Sequence, residues 1–164
     1  MTFVLENIRS AWNVGSAFRT ADCLNANIIL TGYTPRPIGN NIKLIQKTAI
    51  GAQDFVKWEE FELAEDVFLK YPNQVHLAAE ITQTSLNIFD FISDTKDIDL
   101  KRIIANQEVF IWFGNEIHGV EPNVLQRCNK TIHLPMWGKK ESLNIASSLA
   151  AFGYLMKFAI NKQN

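Results

Sequence analysis

Hydrophobic and polar positions along this chain follow two rhythms: short apolar runs of four or five residues, and apolar residues recurring at helical spacing. Val4 and Leu5 begin a first short strand, and after it Val14, Ala17, Phe18, Ala21 and Leu24 form a helical stripe that Asn13 can cap. Residues 27–30 read as the next strand. Residues 31–41, with two prolines and two glycines, read as a loop. Residues 55–58 resemble a short strand, 62–70 a helix, and 75–79 a strand ending at Glu80. Residues 109–113, Val-Phe-Ile-Trp-Phe, are the most apolar run in the protein and predict a central strand buried on both faces. Glu121 and Pro122 open a helix, with proline in its first turn, that ends near Cys128. A strand over 131–134 and an apolar helix over 143–160 complete the pattern.

Alternating strands and helices predict an α/β fold, a parallel sheet with helices on both faces. At 164 residues the chain reads as a single domain over 1–164, with no internal repeat or low-complexity linker. In such sheets ligands bind beyond the carboxyl ends of the strands, so polar residues there draw attention.

Composition adds exclusions. With 47% hydrophobic and 20% charged residues the chain is an ordinary globular one. Its apolar runs are too short to span a membrane, and residues 1–6 lack the basic flank and apolar core of a signal peptide, so a cytoplasmic location is expected. Cys23 and Cys128 have no companion spacing for zinc or redox chemistry and read as core or near-surface thiols. His76, His118 and His133 are scattered, and the two in strand patterns suit satisfied imidazoles, so no metal site is expected. A net charge of -1 argues against coating nucleic acid by overall positive field. Local basic groups remain: Arg9 with Arg19, Arg36 with Lys43 and Lys47, and Lys139 with Lys140. The bland reading of each is a solvated face.

Three segments carry candidate chemistry. In the first, Gly15 and Arg19 share a helix face, the small residue leaving room above the guanidinium. Rooted among Ala17, Phe18 and Ala21, Arg19 either pairs with an acid such as Asp22 or Glu116, or faces an anion in a cleft. In the second, Gly114 ends the central strand, Gly119 allows a tight reversal, and Glu116 stands between them. In the third, Leu134, Pro135, Met136, Trp137 and Gly138 lead into Ser142, Leu143 and Asn144 at a helix start, where free N–H groups and short polar side chains cap the helix or hold a ligand. Rossmann, P-loop, G-x-S-x-G and Ser-His-Asp patterns are absent from the sequence.

Taken in order, the segments resemble the three motifs of the SpoU (TrmH) family of the SPOUT superfamily, the RNA ribose 2′-O-methyltransferases. Asn13 and Arg19 match the first; Gly114, Glu116 and Gly119 the second; Leu134, Pro135, Met136, Gly138, Ser142, Leu143 and Asn144 the third. The resemblance implies a C-terminal deep trefoil knot and S-adenosylmethionine as methyl donor, gripped by backbone groups around Leu77, Gly114, Leu134, Met136, Ser142 and Leu143. It implies a homodimer packed through its first and last helices, acting on transfer RNA or, second, ribosomal RNA. It also implies catalytic roles for Arg19, Asn13, Glu116, Ser142 and Asn144. Arg19 would be a base assisted by the RNA phosphate or, as its permanent charge favours, an anchor for phosphate and developing oxyanion. The chain departs from the family in carrying Glu121-Pro122 at the helix start and His118 inside the turn. Without the extra RNA-binding domain of many relatives, it resembles the minimal, transfer-RNA-directed members. The competing expectation is a non-catalytic dimeric α/β module that binds RNA or a nucleotide; loss of Arg19 or Asn13 would favour it, and both are present.

Overall fold

The computed structural model describes residues 1–94, 96–106 and 108–162. Its strands are β1 (Thr2–Glu6), β2 (Asn27–Thr31), β3 (Trp58–Phe61), β4 (Val75–Ala79), β5 (Leu86–Asn87), β6 (Val109–Phe113) and β7 (Lys130–His133). They form one sheet in the order β3-β2-β1-β6-β4-β7-β5, and every pairing is parallel. The helices are α1 (Ala11–Leu24), α2 (Ile42–Ala49), α3 (Ala64–Lys70), α4 (Ile88–Ser93), α5 (Ile98–Asn106), α6 (Pro122–Leu125) and α7 (Ile145–Lys162).

Because side chains alternate across a pleated strand, β1, β2, β4 and β6 each feed two cores. Phe3, Leu5, Ile28, Leu30, Leu77, Ile111 and Phe113 point into the larger one, against Val14 and Phe18 of α1, Ile45 of α2, Ile88 of α4, Leu100 of α5 and Leu149 and Phe152 of α7. Val4, Ile29, Ala78, Phe110 and Trp112 point into the smaller, against Val67 and Phe68 of α3 and Val124 of α6. Helices on both faces and a parallel sheet are therefore as the alternation predicts. β6 is the fourth of the seven strands and all five of its residues are buried, as its unbroken apolar run requires.

His76 lies inside the smaller core. The Trp112 indole N–H donates to its Nδ1 at 3.0 Å, so the ring proton sits on Nε2, 3.0 Å from the Tyr71 carbonyl. Both nitrogens are satisfied, and burial holds the imidazole pKa below its ordinary value.

Three local expectations are corrected. Ser10, not Asn13, caps α1, its Oγ accepting from the Asn13 N–H at 3.3 Å. The third strand runs over Trp58–Phe61 instead of 55–58, since Phe55 is 80% exposed beyond a short 3₁₀ turn and β2 pairs from Trp58 onward. Gly15 makes room for α2 and not for Arg19: a Cβ there would lie 2.2 Å from Thr48 Oγ1 and 2.3 Å from the Ile45 carbonyl oxygen. The loop from residue 31 gives way to α2, and Arg36 is spent holding it, donating to Glu60 at 2.8 Å and to the carbonyls of Gly32 and Thr34.

Glu6, at the carboxyl end of β1, is only 3% exposed and accepts a hydrogen bond from the Glu121 N–H at 3.1 Å. Burial pushes its pKa up to about 7, the Glu121 amide opposing and the Glu121 charge adding to the rise. The same burial, with the Glu6 charge beside it, pushes the Cys128 thiol up to about 12. A carboxyl whose pKa is raised on folding contributes stability below its unfolded value of 4.5, and loses it as pH rises through about 7. Glu6→Gln keeps an acceptor for the Glu121 amide without the buried charge. In thermal melts it is expected to exceed the parent protein by several degrees at pH 8, on the order of 2–3 kcal/mol, with the two converging below pH 4.5.

Candidate functional site

A cavity of about 470 Å³ opens at the carboxyl ends of β4, β6 and β7. β4 contributes Ala79, Glu80 and Ile81, β6 and its turn Phe113 to Ile117 with Gly119, and β7 His133, Leu134 and Met136. Residues 141–145 and the first turns of α7 close the far side. A second cavity, about 390 Å³, lies at the amino ends of β1, β2, β3 and β6. None of the three chemistry-bearing segments reaches it, and parallel sheets bind ligands at the opposite end.

The turn after β6 is built by Asn115 and two glycines. Asn115 Nδ2 donates to the Asn7 carbonyl at 2.9 Å and to the Tyr33 hydroxyl at 2.8 Å, while Oδ1 accepts from the N–H groups of Ile117 and His118. Gly119 has φ +72°, and a Cβ on Gly114 would sit 2.1 Å from the Gly119 carbonyl carbon. Both glycines therefore serve the reversal itself.

This reversal delivers Glu116 to the start of α1. Its carboxylate accepts from the Arg9 N–H at 2.9 Å, the Ser10 N–H at 3.2 Å and Asn13 Nδ2 at 3.0 Å. Desolvation raises its pKa, but the amides of Arg9 and of Glu116 itself, then Asn13 and Ser10, outweigh this and hold it below the ordinary carboxylate value. Asn13 Oδ1 in turn accepts from Asn144 Nδ2 at 3.2 Å, and Asn144 Oδ1 caps α7 through the Ala146 N–H at 2.8 Å. One hydrogen-bonded chain, Asn144 to Asn13 to Glu116, thus joins all three segments at the cavity rim.

Other site residues fall where expected or elsewhere. Gly114, Leu134, Met136, Ser142, Leu143 and Asn144 line the cavity. Leu77 does not: it is fully buried inside β4, two residues short of the strand end. Arg19 is exposed on α1 and makes no hydrogen bond or ion pair among the described residues, so the structural pairing with Asp22 or Glu116 is not found. It does not line the cavity of its own chain. His133 lines the wall with Nδ1 2.9 Å from Ser85 Oγ. No group of three or more His, Cys, Asp and Glu among the described residues stands together as a metal site.

Sequence reasoning missed Glu80 and Asn115. Glu80 Oε1 accepts from the Ile81 N–H and Oε2 from the Val120 N–H, both at 3.0 Å, which ties β4 to the turn after β6. The available signals were an acid directly after an apolar strand, and an asparagine beside a turn glycine, where its side chain can bond the backbone two residues on. The lining carries Glu80, Glu116 and Glu141 and no lysine or arginine among the described residues, whereas exposed Lys139 and Lys140 stand just outside. An anionic wall with a cationic threshold suits a positively charged small molecule within and a polyanion at the mouth.

The sequence and the fold have counterparts among known proteins. The sequence model of the SpoU rRNA Methylase family matches residues 1–154. A tRNA (guanosine(18)-2'-O)-methyltransferase of Borreliella burgdorferi is 24% identical over the whole chain, which spans 69% of that protein. A 23S rRNA (guanosine-2'-O-)-methyltransferase RlmB of Blochmanniella floridana is 22% identical over 93% of the chain, which spans 55% of it. The SpoU methyltransferase AviRb of Streptomyces viridochromogenes superposes with a TM-score of 0.79 at 19% identity, over 99% of this chain and 60% of its own, and shares the fold. The chain is thus little more than half as long as some of its relatives.

The charge on Glu116 contributes stability above its unfolded pKa of 4.5, lost as pH falls through the depressed folded value. Glu116→Gln is expected to lower the thermal midpoint at pH 7 by a few degrees, for a loss of about 1 kcal/mol at the start of α1. Melts repeated at lower pH check the assignment, because the difference should close below pH 4.5.

Proposed function

Since the chain belongs to the SpoU rRNA methylase family, we propose that it transfers a methyl group from S-adenosylmethionine to a ribose 2′-hydroxyl of RNA, transfer RNA first and ribosomal RNA second. The observation that carries this reading is the Asn144–Asn13–Glu116 chain at the rim of an acid-lined cavity. The choice of transfer RNA is supported by the named activity of the Borreliella burgdorferi relative.

The residues present fit the donor. A cavity of about 470 Å³ is in the range that holds a compact organic ligand. Phe113, Leu134 and Met136 offer apolar walls to a base, and the acids suit a cation. When bound, the donor supplies an electrophilic methyl on a sulfonium. Gly114, Leu134, Met136, Ser142 and Leu143 grip it, with Leu77 supporting the wall from inside β4. Asn13, Glu116 and Asn144 orient the target ribose, Ser142 contacts donor or sugar, and Arg19 anchors phosphate and stabilises the negative charge developing on oxygen.

Because Arg19 lies outside its own chain's cavity, this reading needs a second subunit, and we assign a homodimer built on α1 and α7. Those helices pack together, and Trp12, Tyr154 and Phe158 are exposed on them. We also assign the family's C-terminal deep trefoil knot to this single domain. It is supported by the insertion of β7 between β4 and β5 and by the return of α7 to the face that holds α1, α4 and α5. No described helix is long and apolar enough to cross a membrane, and the proposed location is the cytoplasm.

Incubation with methyl-labelled donor and total transfer and ribosomal RNA should place label on a ribose; label on a base would refute the reaction type, and RNA binding without transfer would favour the non-catalytic module. Arg19→Ala is expected to reduce transfer about 100-fold or more while donor binding measured by calorimetry stays within about twofold. Phe158→Glu is expected to yield monomers by sedimentation and to lose transfer with them.

A further inference from the structure

If S-adenosylmethionine is the occupant, the cavity must distinguish a donor that carries a sulfonium from a product that does not. Transfer breaks the methyl carbon–sulfur bond and forms a carbon–oxygen bond to the ribose, and the hydroxyl proton passes to water. The carbon–sulfur electron pair stays on sulfur, which becomes a neutral thioether. The two small molecules therefore differ at the reacting centre by one positive charge and one methyl.

Three carboxylates face the cavity, and they are not equivalent. Glu116 is committed to the start of α1, accepting from two backbone amides and Asn13. Glu141 is exposed to solvent, which screens its charge. Glu80 is half-buried at the end of β4, and its two oxygens are fixed by amides from two segments, Ile81 beside it and Val120 in the turn after β6. Gly119 confirms how closely it is seated, since a Cβ there would lie 2.2 Å from Glu80 Oε2. The result is an immobile negative charge on a wall that has no lysine or arginine to neutralise it among the described residues.

We propose that Glu80 is a specificity-determining residue, the fixed countercharge by which the site holds the cationic donor in preference to the neutral product. A preorganised charge acts without reorganising, and its attraction disappears when the sulfonium is discharged, so product release is favoured by the reaction itself.

Calorimetric titration with three ligands tests this: S-adenosylmethionine, S-adenosylhomocysteine, and sinefungin, which carries an ammonium group in place of the sulfonium methyl. Glu80→Gln is expected to weaken the two cationic ligands about tenfold and the thioether by no more than about twofold. Glu80→Asp, which keeps the charge on a shorter arm, should preserve the donor-to-product ratio even if all three affinities fall. Equal weakening of all three ligands by Glu80→Gln would make Glu80 a strut and overturn the inference alone. A parent protein that binds none of them would overturn the donor reading, and the inference with it.

Discussion

The site depends on one carboxylate placed at the start of one helix. Glu116 follows β6, the strand beside β1 in the sheet but over a hundred residues along the chain from Arg9 and Ser10, and accepts their N–H groups. The start of a helix leaves backbone donors unpaired and carries partial positive charge, so an anion is stabilised there for two reasons at once. Once the carboxylate is seated, Asn13 lies within reach of it and of Asn144, and the entry to the last helix is fixed as well. Stability and site geometry share these bonds.

Much of the frame was legible because burial on both faces leaves a strong mark. The runs at 75–79 and 109–113 coincide with β4 and β6. The weaker marks failed for identifiable reasons. Residues 55–58 look apolar but expose Phe55, because the chain must first turn through a 3₁₀ segment before it can pair with β2. Asn13 looked like a cap because asparagine often is one, but Ser10 stands three residues earlier and its hydroxyl accepts from the N–H of Asn13 itself, which is already inside the helix.

The candidate site was legible as three segments and not as an arrangement. Sequence spacing named Asn13, Glu116 and Asn144; it could not say that they bond to one another, since that rests on the order of strands in the sheet. Gly15 was misread because the surface it accommodates belongs to α2, which no local pattern ties to α1. Arg19 shows the limit of any single-chain reading: its neighbours suggested a cleft, and within one chain it is exposed, with no hydrogen bond or ion pair among the described residues. Glu80 was passed over because one acid after a strand looks like an ordinary terminus until the turn that closes over it is known.

β1 pairs with β2 on one side, but its other neighbour is β6, with Thr2 opposite Phe110. β1, which holds Phe3, Val4 and Leu5 between Thr2 and Glu6, therefore keeps one edge unpaired until residues more than a hundred positions further along the chain have been added. Pairings between such distant segments close slowly and expose aggregation-prone edges meanwhile. Because Glu116 follows β6, assembly of the site is tied to that pairing of high sequence separation and is expected to be no faster than its closure.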